Sequence, residues 1–172
     1  MKNILILFLF HFSSPEMDVQ VYRDLLHRSV YNAEVARYYF DKMRTTDARN
    51  SAIVRGYKAM SYFIMCKHTY NPFSKIAYFN KGKRELESAI NMQSDNKELL
   101  FLRLATQCNT PAFLGYSVNI ESDKRALLNY LALKSAHEDK DLRDKIIRFI
   151  LQCKQYTNSE KSFVKENYLI AS

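Results

Sequence analysis

The sequence contains few of the residues that make tight turns: its 172 residues include only three glycines and three prolines. Tight β-hairpins depend on glycine at positions of positive φ, so an all-β fold with many hairpins is not expected. Hydrophobic residues make up 47% of the chain and recur three and four positions apart, which is the spacing of amphipathic helices. The length suits one domain, and the composition therefore predicts an all-α domain with a substantial core.

The scarcity of glycine also excludes the glycine-rich loops that cradle phosphates. Neither G-x-x-x-x-G-K-[ST] nor G-x-G-x-x-G occurs, and the H-E-x-x-H and G-x-S-x-G motifs are absent as well. The nearest approach to a metal site is the pair Cys66 and His68. Two residues at i and i+2 on a helix point to different faces, so this pair is not expected to share an ion. We therefore expect no catalytic residue, no metal and no cofactor.

The charge is strongly positive, at +8 with a pI near 9.3. Basic residues are spread along the chain and interleaved with acidic ones, which is typical of solvated helix faces. Nucleic acid is accordingly an unlikely partner, although aromatic and basic residues do alternate within residues 70–84, as in some single-strand binders. A basic surface that binds nucleic acid or touches an anionic membrane peripherally remains an alternative function.

Residues 1–14 have the pattern of a secretory signal peptide, with Lys2 followed by an apolar run from Ile4 to Phe10. The run is too short to span a bilayer, and no A-x-A-like cleavage site follows it. The alternative is a first helix that docks on the core. We expect residues 1–14 to be a signal peptide and residues 15–172 to form one helical domain in the periplasm or outside the cell. Without a functioning signal the protein would be cytoplasmic.

The three cysteines, Cys66, Cys108 and Cys153, lie far apart in apolar helical contexts and form no C-x-x-C motif. Their odd number cannot be fully paired within one chain. We expect buried thiols that act as small hydrophobic side chains. One bridge is possible in an exported chain, but the sequence alone does not select the pair.

Hydrophobic periodicity and capping residues predict about eight helices joined by short connections. The longest lies within residues 71–96, where Asn71 can cap the first turn, Pro72 suits the first helical position and 94–96 ends the helix. The others are expected near residues 18–29, 32–43, 51–67, 97–107, 121–134, 139–154 and 160–170. A helix-loop-helix order that repeats every 35–45 residues indicates stacked antiparallel hairpins.

Residues 82–96 resemble the second helix of a tetratricopeptide repeat (TPR). The family's small, large, small and proline positions correspond to Gly82, Leu86, Ala89 and Ser94, and Ala59 and Tyr62 are similar to the small and tyrosine positions of its first helix. The hairpin loop is longer than the family's repeat unit of about 34 residues allows, and no second repeat matches the pattern well. The chain also resembles uncharacterised exported bacterial proteins with divergent repeats, which implies no particular activity. The resemblance implies a TPR-like α–α superhelix that holds peptides or helices in a groove.

Arg103 is the most informative single residue, because it lies inside the apolar segment LLFLRLATQC. An unpaired charge buried there would cost several kcal/mol, so Arg103 must meet carboxylates, carbonyls or water. It either ties helices together or lines a groove with Gln107, Asn109 and Tyr116, where its donors would meet an acidic ligand group. Such a groove would lie between the third helix, the helix of residues 99–107 and the bend of residues 109–116.

These observations together predict a non-enzymatic protein- or peptide-binding module of TPR-like type, with Arg103, Gln107, Asn109 and Tyr116 as candidate binding residues. Fold analogy alone carries the binding role, so the identity of the partner stays open. A purely structural subunit is the further alternative, and a large exposed apolar patch on a terminal helix pair would indicate it.

Overall fold

The computed structural model describes residues 18–133 and 139–168, and these residues form eight α-helices with no strand. The helices are α1 (Val19–Ser29), α2 (Ala33–Thr45), α3 (Ala52–His68), α4 (Pro72–Met92), α5 (Lys97–Cys108), α6 (Ile120–Ala132), α7 (Lys140–Gln152) and α8 (Asn158–Tyr168), with a short 3-10 helix at Ala112–Leu114. The all-α class and the number of helices are confirmed. The predicted signal peptide at residues 1–14 lies outside the described residues.

Side-chain caps explain where several helices begin. Asn71 Oδ1 accepts hydrogen bonds from the first backbone N–H groups of α4, and Pro72 occupies the first helical position as expected. Asn96 caps α5 in the same way. At α8, Thr157 Oγ1 accepts from the Glu160 amide while the Glu160 carboxylate accepts from the Thr157 amide, which is a capping box.

Helices that follow one another pack as antiparallel hairpins. Arg55, near the start of α3, donates to Ser88 near the end of α4, with an Nη1–Oγ distance of 2.7 Å. Phe63, near the other end of α3, meets Phe79 in the first half of α4, with ring centroids 5.8 Å apart. The short connection between the two helices is typical of such pairs. The pairs α1–α2, α5–α6 and α7–α8 are likewise in contact.

The odd-numbered helices form a row, because α3 packs against both α1 and α5, and α7 packs against α5. Within this row neighbouring helices run in the same direction. Tyr22 of α1 stacks on Tyr57 of α3 with ring centroids 5.4 Å apart, and near the other ends His68 Nε2 lies 2.7 Å from the carbonyl oxygen of Ser29. The hairpins are therefore stacked in chain order, with the row of odd-numbered helices running through the stack.

Gly56 determines how closely α3 and α5 approach each other. A Cβ atom at this position would overlap Cδ2 of Leu99, which is fully buried on α5. Real Cβ contacts are never this short, so a larger residue at position 56 would have to displace α5 or rotate a buried leucine. Glycine at this position thus allows α5 to lie directly against the backbone of α3.

One buried ion-pair network connects all four odd-numbered helices. Arg23 of α1 is only 3% exposed, and its Nε and Nη2 donate to the two oxygens of Glu98 on α5 at 2.7 and 2.8 Å. The same guanidinium donates to Asp139 and Asp141 at the start of α7, at 2.7 and 2.9 Å. Tyr57 of α3 donates its hydroxyl hydrogen to Glu98. The Nε, Nη1 and Nη2 groups of Arg23 thus all donate to carboxylates.

We predict that Arg23→Met lowers the free energy of unfolding by about 3–5 kcal/mol, because it leaves the buried Glu98 carboxylate without its cation. Urea unfolding followed by circular dichroism measures the change. Arg125→Met is the matched control: Arg125 is exposed on α6, so its loss should change stability by no more than about 0.5 kcal/mol. Equal effects of the two substitutions would show that the network does not stabilise the fold.

Acid should weaken the attachment of α7. The hydrogen bond from Arg23 lowers the pKa of Asp139; for Asp141, burial opposes the shift, but hydrogen bonds from Lys145 and Arg23 outweigh it and lower the pKa. A carboxylate whose pKa is lowered on folding contributes stability above its unfolded pKa, about 3.9 for Asp, and loses it as the pH falls through the folded pKa. We therefore expect the free energy of unfolding to fall between about pH 5 and pH 2.

Asp139→Asn tests this assignment. Asparagine can still accept the capping hydrogen bond that Asp139 accepts from the Leu142 amide, but it carries no charge for Arg23. The variant should be less stable at pH 7 and should lose less stability on acidification. Asp144→Asn, an exposed site on the same helix, is the control. Identical acid dependence in the wild type and in Asp139→Asn would contradict the assignment.

Candidate functional site

A groove of about 990 Å³ opens between α3, the first half of α4 and the second half of α5. The end of α1 forms part of its wall, and the bend of residues 109–114 borders it at the end of α5. Its volume is at the upper end of the range for small-ligand pockets, about 300–1,000 Å³. The groove involves the three segments that the sequence indicated, together with α1 and α4, which the sequence did not indicate.

The walls of the groove are mostly apolar. Met60 and Phe63 of α3 and Phe101 and Ala105 of α5 line it, and all four side chains are only half-buried. The rim exposes further apolar surface, at Ile76 of α4 (52% exposed) and at Phe113 in the bend (85% exposed). Contiguous exposed apolar surface of this kind is typical of binding sites on monomeric proteins.

The bend that carries Phe113 has a simple physical basis. Pro111 disfavours helical geometry in the residue before it, so α5 cannot continue past this point. The 3-10 turn that follows ends at Gly115, whose φ of +60° is the left-handed conformation that glycine adopts at little cost. The chain then reverses toward α6, and this reversal leaves Phe113 at the edge of the groove.

The polar groups that line the groove are few and mostly bonded within their own helix. Thr106 and Thr110 donate their hydroxyl hydrogens to backbone carbonyls four residues earlier, and Asn109 Nδ2 does the same to Ala105 at 2.8 Å. Among the described residues that line the groove, the charged ones are Lys67 and Lys75, both exposed, and none is a carboxylate. The groove therefore presents apolar walls and two ammonium groups.

Of the four candidate binding residues, Asn109 lines the groove, whereas Gln107 and Tyr116 lie elsewhere. Tyr116 is 3% exposed and donates its hydroxyl hydrogen to Glu87 at 2.7 Å. Gln107 is 2% exposed; its Nε2 lies 3.4 Å from Asn119 Oδ1, and its Oε1 meets no donor within the described residues. These two side chains pack between helices instead of facing a ligand.

Arg103 also points away from the groove. Its Nε and Nη2 donate to the two oxygens of Asp123 on α6, both at 2.8 Å, and its Nη1 donates to Glu87 on α4 at 2.9 Å. Burial alone would lower the pKa of Arg103, but these two carboxylates outweigh it and raise the pKa. Arg103 thus ties α4, α5 and α6 together, which is the structural role considered for it from the sequence.

The face of α5 explains why sequence reasoning chose these residues and missed others. Arg103 and Gln107 are one turn apart and face α6, whereas Phe101 and Ala105 face the groove. A signal for the groove was present in the sequence, because α5 carries apolar residues on more faces than a single neighbouring helix can cover. That pattern does not show which apolar face of α5 stays open, and the candidate binding residues were polar, so the apolar wall was not predicted.

Neither metal binding nor membrane spanning is indicated by the described part of the chain. It contains no group of three or more His, Cys, Asp or Glu side chains that could hold an ion. None of its helices combines the length and the apolar character needed to cross a bilayer. Comparison with protein-family models, with curated proteins and with solved structures finds no match to this chain.

We predict that Arg103→Ala lowers the melting temperature by about 10 °C, because it leaves the buried Asp123 without its cation and a loss of 3–5 kcal/mol shifts a domain of this size by that amount. Differential scanning calorimetry measures the shift. Arg84→Ala, at an exposed position of α4, should melt close to the wild type. Unchanged melting of Arg103→Ala together with lost ligand binding would instead place Arg103 in the binding site.

Proposed function

We propose that the protein is a non-enzymatic protein- or peptide-binding module that holds an acidic amphipathic helix in the groove between α3, α4 and α5. The observation that carries the proposal is a groove of about 990 Å³ whose described lining has apolar walls, two lysines and no carboxylate. This combination suits a partner segment that offers apolar side chains on one face and carboxylates beside them.

The shape and chemistry of the walls favour a helical ligand. A helix places apolar side chains at i, i+3, i+4 and i+7 on one stripe, and grooves between helices are a recurrent site for such a stripe. Half-buried Phe63 and Phe101 and the exposed Phe113 can supply the aromatic contacts that dominate binding energy at interfaces. Main-chain pairing is not expected, because the groove is lined by helices whose backbone groups are already bonded.

The positive charges at the groove favour a negatively charged partner. Within the described residues, neither Lys67 nor Lys75 has a carboxylate at ion-pair distance, although Lys67 lies 5.6 Å from the ring centroid of Tyr31. An acidic peptide would supply the missing counter-charges and would be steered by the net positive charge of the chain. We therefore expect association to be faster at low salt than at high salt.

The resemblance to tetratricopeptide repeats supports the same role. Ala59 is fully buried, and a Cβ atom at Gly82 would lie 3.1 Å from the ring of Phe63, so both small positions accommodate close packing. Stacked hairpins with a row of odd-numbered helices are compatible with a TPR-like superhelix. Export remains part of the proposal: with the leader removed, the module would act in the periplasm or outside the cell.

The alternative of a nucleic-acid-binding surface has less support. Among the aromatic residues of segment 70–84, Phe79 is buried in the core and Tyr78 packs edge-on against Phe40. Tyr70 and Phe73 are exposed, but two side chains at the start of one helix do not form the extended stacking surface that single strands require. Peripheral contact with an anionic membrane is tested below as a competing outcome.

The proposal is tested by panning a phage library of random 16-residue peptides on the wild-type protein, with counter-selection on Ala105→Trp. Ala105 lines the groove and is half-buried, so an indole at this position should fill it. We expect enriched peptides with apolar residues at helical spacing and several Asp or Glu residues. Their affinity should fall at least about tenfold in Ala105→Trp and in Lys67→Glu/Lys75→Glu, since 1.4 kcal/mol corresponds to a factor of ten.

Matched controls separate effects on peptide binding at the groove from effects that the same substitutions would have anywhere on the surface. Ala33→Trp places the same indole at an exposed site on α2, and Lys154→Glu/Lys165→Glu makes the same charge change at exposed sites outside the groove. Both should bind the selected peptides like the wild type. Failure to enrich such peptides, or binding that Ala105→Trp leaves unchanged, would overturn the proposal. Tight binding to phosphatidylglycerol vesicles without any peptide binding would favour the membrane alternative.

A further inference from the structure

We propose that Cys108 and Cys153 are a disulfide-forming pair and that Cys66 stays a free thiol. The Sγ atoms of Cys108 and Cys153 lie 3.1 Å apart. Cys108 is the last residue of α5, and Cys153 directly follows the last residue of α7. The sequence left open which two of the three cysteines could pair, and the packing of α5 on α7 selects this pair.

The two sulfurs are brought together by the fold and not by proximity in sequence. They are 45 residues apart in the chain, and α5 and α7 run in the same direction with their C-terminal ends side by side. One to two turns earlier, Phe101 and Phe149 pack edge to face with ring centroids 5.4 Å apart. A bonded sulfur pair requires about 2.05 Å, so an approach of about 1 Å closes the bridge.

Cys66 has a different environment that keeps it out of the pair. It lies on α3 in the wall of the groove, next to Lys67 and near Lys75. Neither Cys108 nor Cys153 lines the groove. Of the described cysteines, Cys108 and Cys153 have their sulfurs in contact, whereas Cys66 lies apart from both in the groove wall. The expected product has one internal disulfide and one thiol, which agrees with the odd number of cysteines.

The chemistry is two-step thiol–disulfide exchange with a small disulfide such as oxidised glutathione. Cys108 is half-buried and Cys153 is buried, so the Cys108 thiolate attacks the oxidant and releases one glutathione thiolate. The Cys153 thiolate then attacks the Cys108 sulfur of the mixed disulfide and releases the second. The protein pair loses two electrons and two protons, the oxidant gains the two electrons, and the protons pass to the glutathione thiolates.

The environment of the pair makes uncatalysed exchange slow at neutral pH. Burial is the largest influence and raises the pKa of the Cys108 thiol to about 12, the hydrogen bond with Cys153 adds to it, and Lys124 opposes it. Only a small fraction of Cys108 is then thiolate at pH 7, and exchange requires the thiolate. The rate should rise with pH, or in an oxidising compartment that contains a thiol–disulfide oxidoreductase.

The bridge would reinforce the attachment of the C-terminal hairpin. Without it, α7 and α8 are held to the other helices by the Arg23 network, by the ion pair between Lys124 and Glu160 at 3.4 Å, and by the Phe101–Phe149 contact. A covalent link between the ends of α5 and α7 restricts the unfolded chain across a 45-residue loop. It also anchors Cys108, which precedes Asn109 in the chain, and Asn109 lines the groove.

The test is a thiol count on the denatured protein before and after oxidation. The full chain is incubated at low concentration with oxidised glutathione at about pH 8.5; free thiols are then alkylated, and tryptic peptides are identified by mass spectrometry. We expect three thiols in the reduced wild type and one after oxidation, with Cys108 and Cys153 in one linked peptide and Cys66 alkylated. The melting temperature of the oxidised form should be about 5–10 °C higher than that of the reduced form.

Single substitutions make the assignment specific. Cys66→Ser should show the same rise in melting temperature as the wild type, whereas Cys108→Ser and Cys153→Ser should show none and should keep both remaining thiols. The proposal is overturned if the oxidised wild type retains three thiols, or if Cys66 appears in the internal bridge. It is also overturned if Cys108→Ser still loses two thiols within a monomer.

Discussion

The arrangement of the helices depends on one ion pair, in which both oxygens of the Glu98 carboxylate accept hydrogen bonds from the Arg23 guanidinium. Two charges removed from water are stable only when their partners are complete, and here Tyr57, Asp139 and Asp141 complete them. The partners come from α1, α3, α5 and α7, so the network can form only when the hairpins are stacked in this order. A different stacking would leave at least one buried charge unmatched, which makes the network a source of specificity as well as of stability.

This placement of α5 also determines what its other faces do. With Leu99 against Gly56, one side of α5 is in contact with α3, and Arg103 on another side joins α4 and α6. The side that carries Phe101 and Ala105 lines the groove together with parts of α3 and the first half of α4, and Phe101 also meets Phe149 of α7. The groove is thus a consequence of how the hairpins stack, and the proposed binding surface and the stabilising ion pairs lie on separate faces of one helix.

The sequence predicted the local structure well because local structure depends on nearby residues. Asn71 and Pro72 mark the start of α4, and Pro111 ends α5. Both effects act within a few residues. The ion pairs could not be predicted in this way: Arg23 meets Glu98 75 residues later, and nothing near Arg23 distinguishes it from a solvated arginine. Arg103 was recognised because its neighbours are apolar, but whether its carboxylate partners came from the protein or from a ligand depended on tertiary structure.

The distribution of charge bears on the proposed binding of an acidic partner in a largely apolar groove. The buried cations Arg23, Arg103 and Lys124 are each paired with two or more carboxylates, and those of Arg23 and Arg103 come from other helices or their caps. By contrast, the described residues that line the groove include Lys67 and Lys75 and no carboxylate. The buried cations thus have carboxylate partners within the fold, and an acidic partner would supply such counter-charges to the two lysines at the groove.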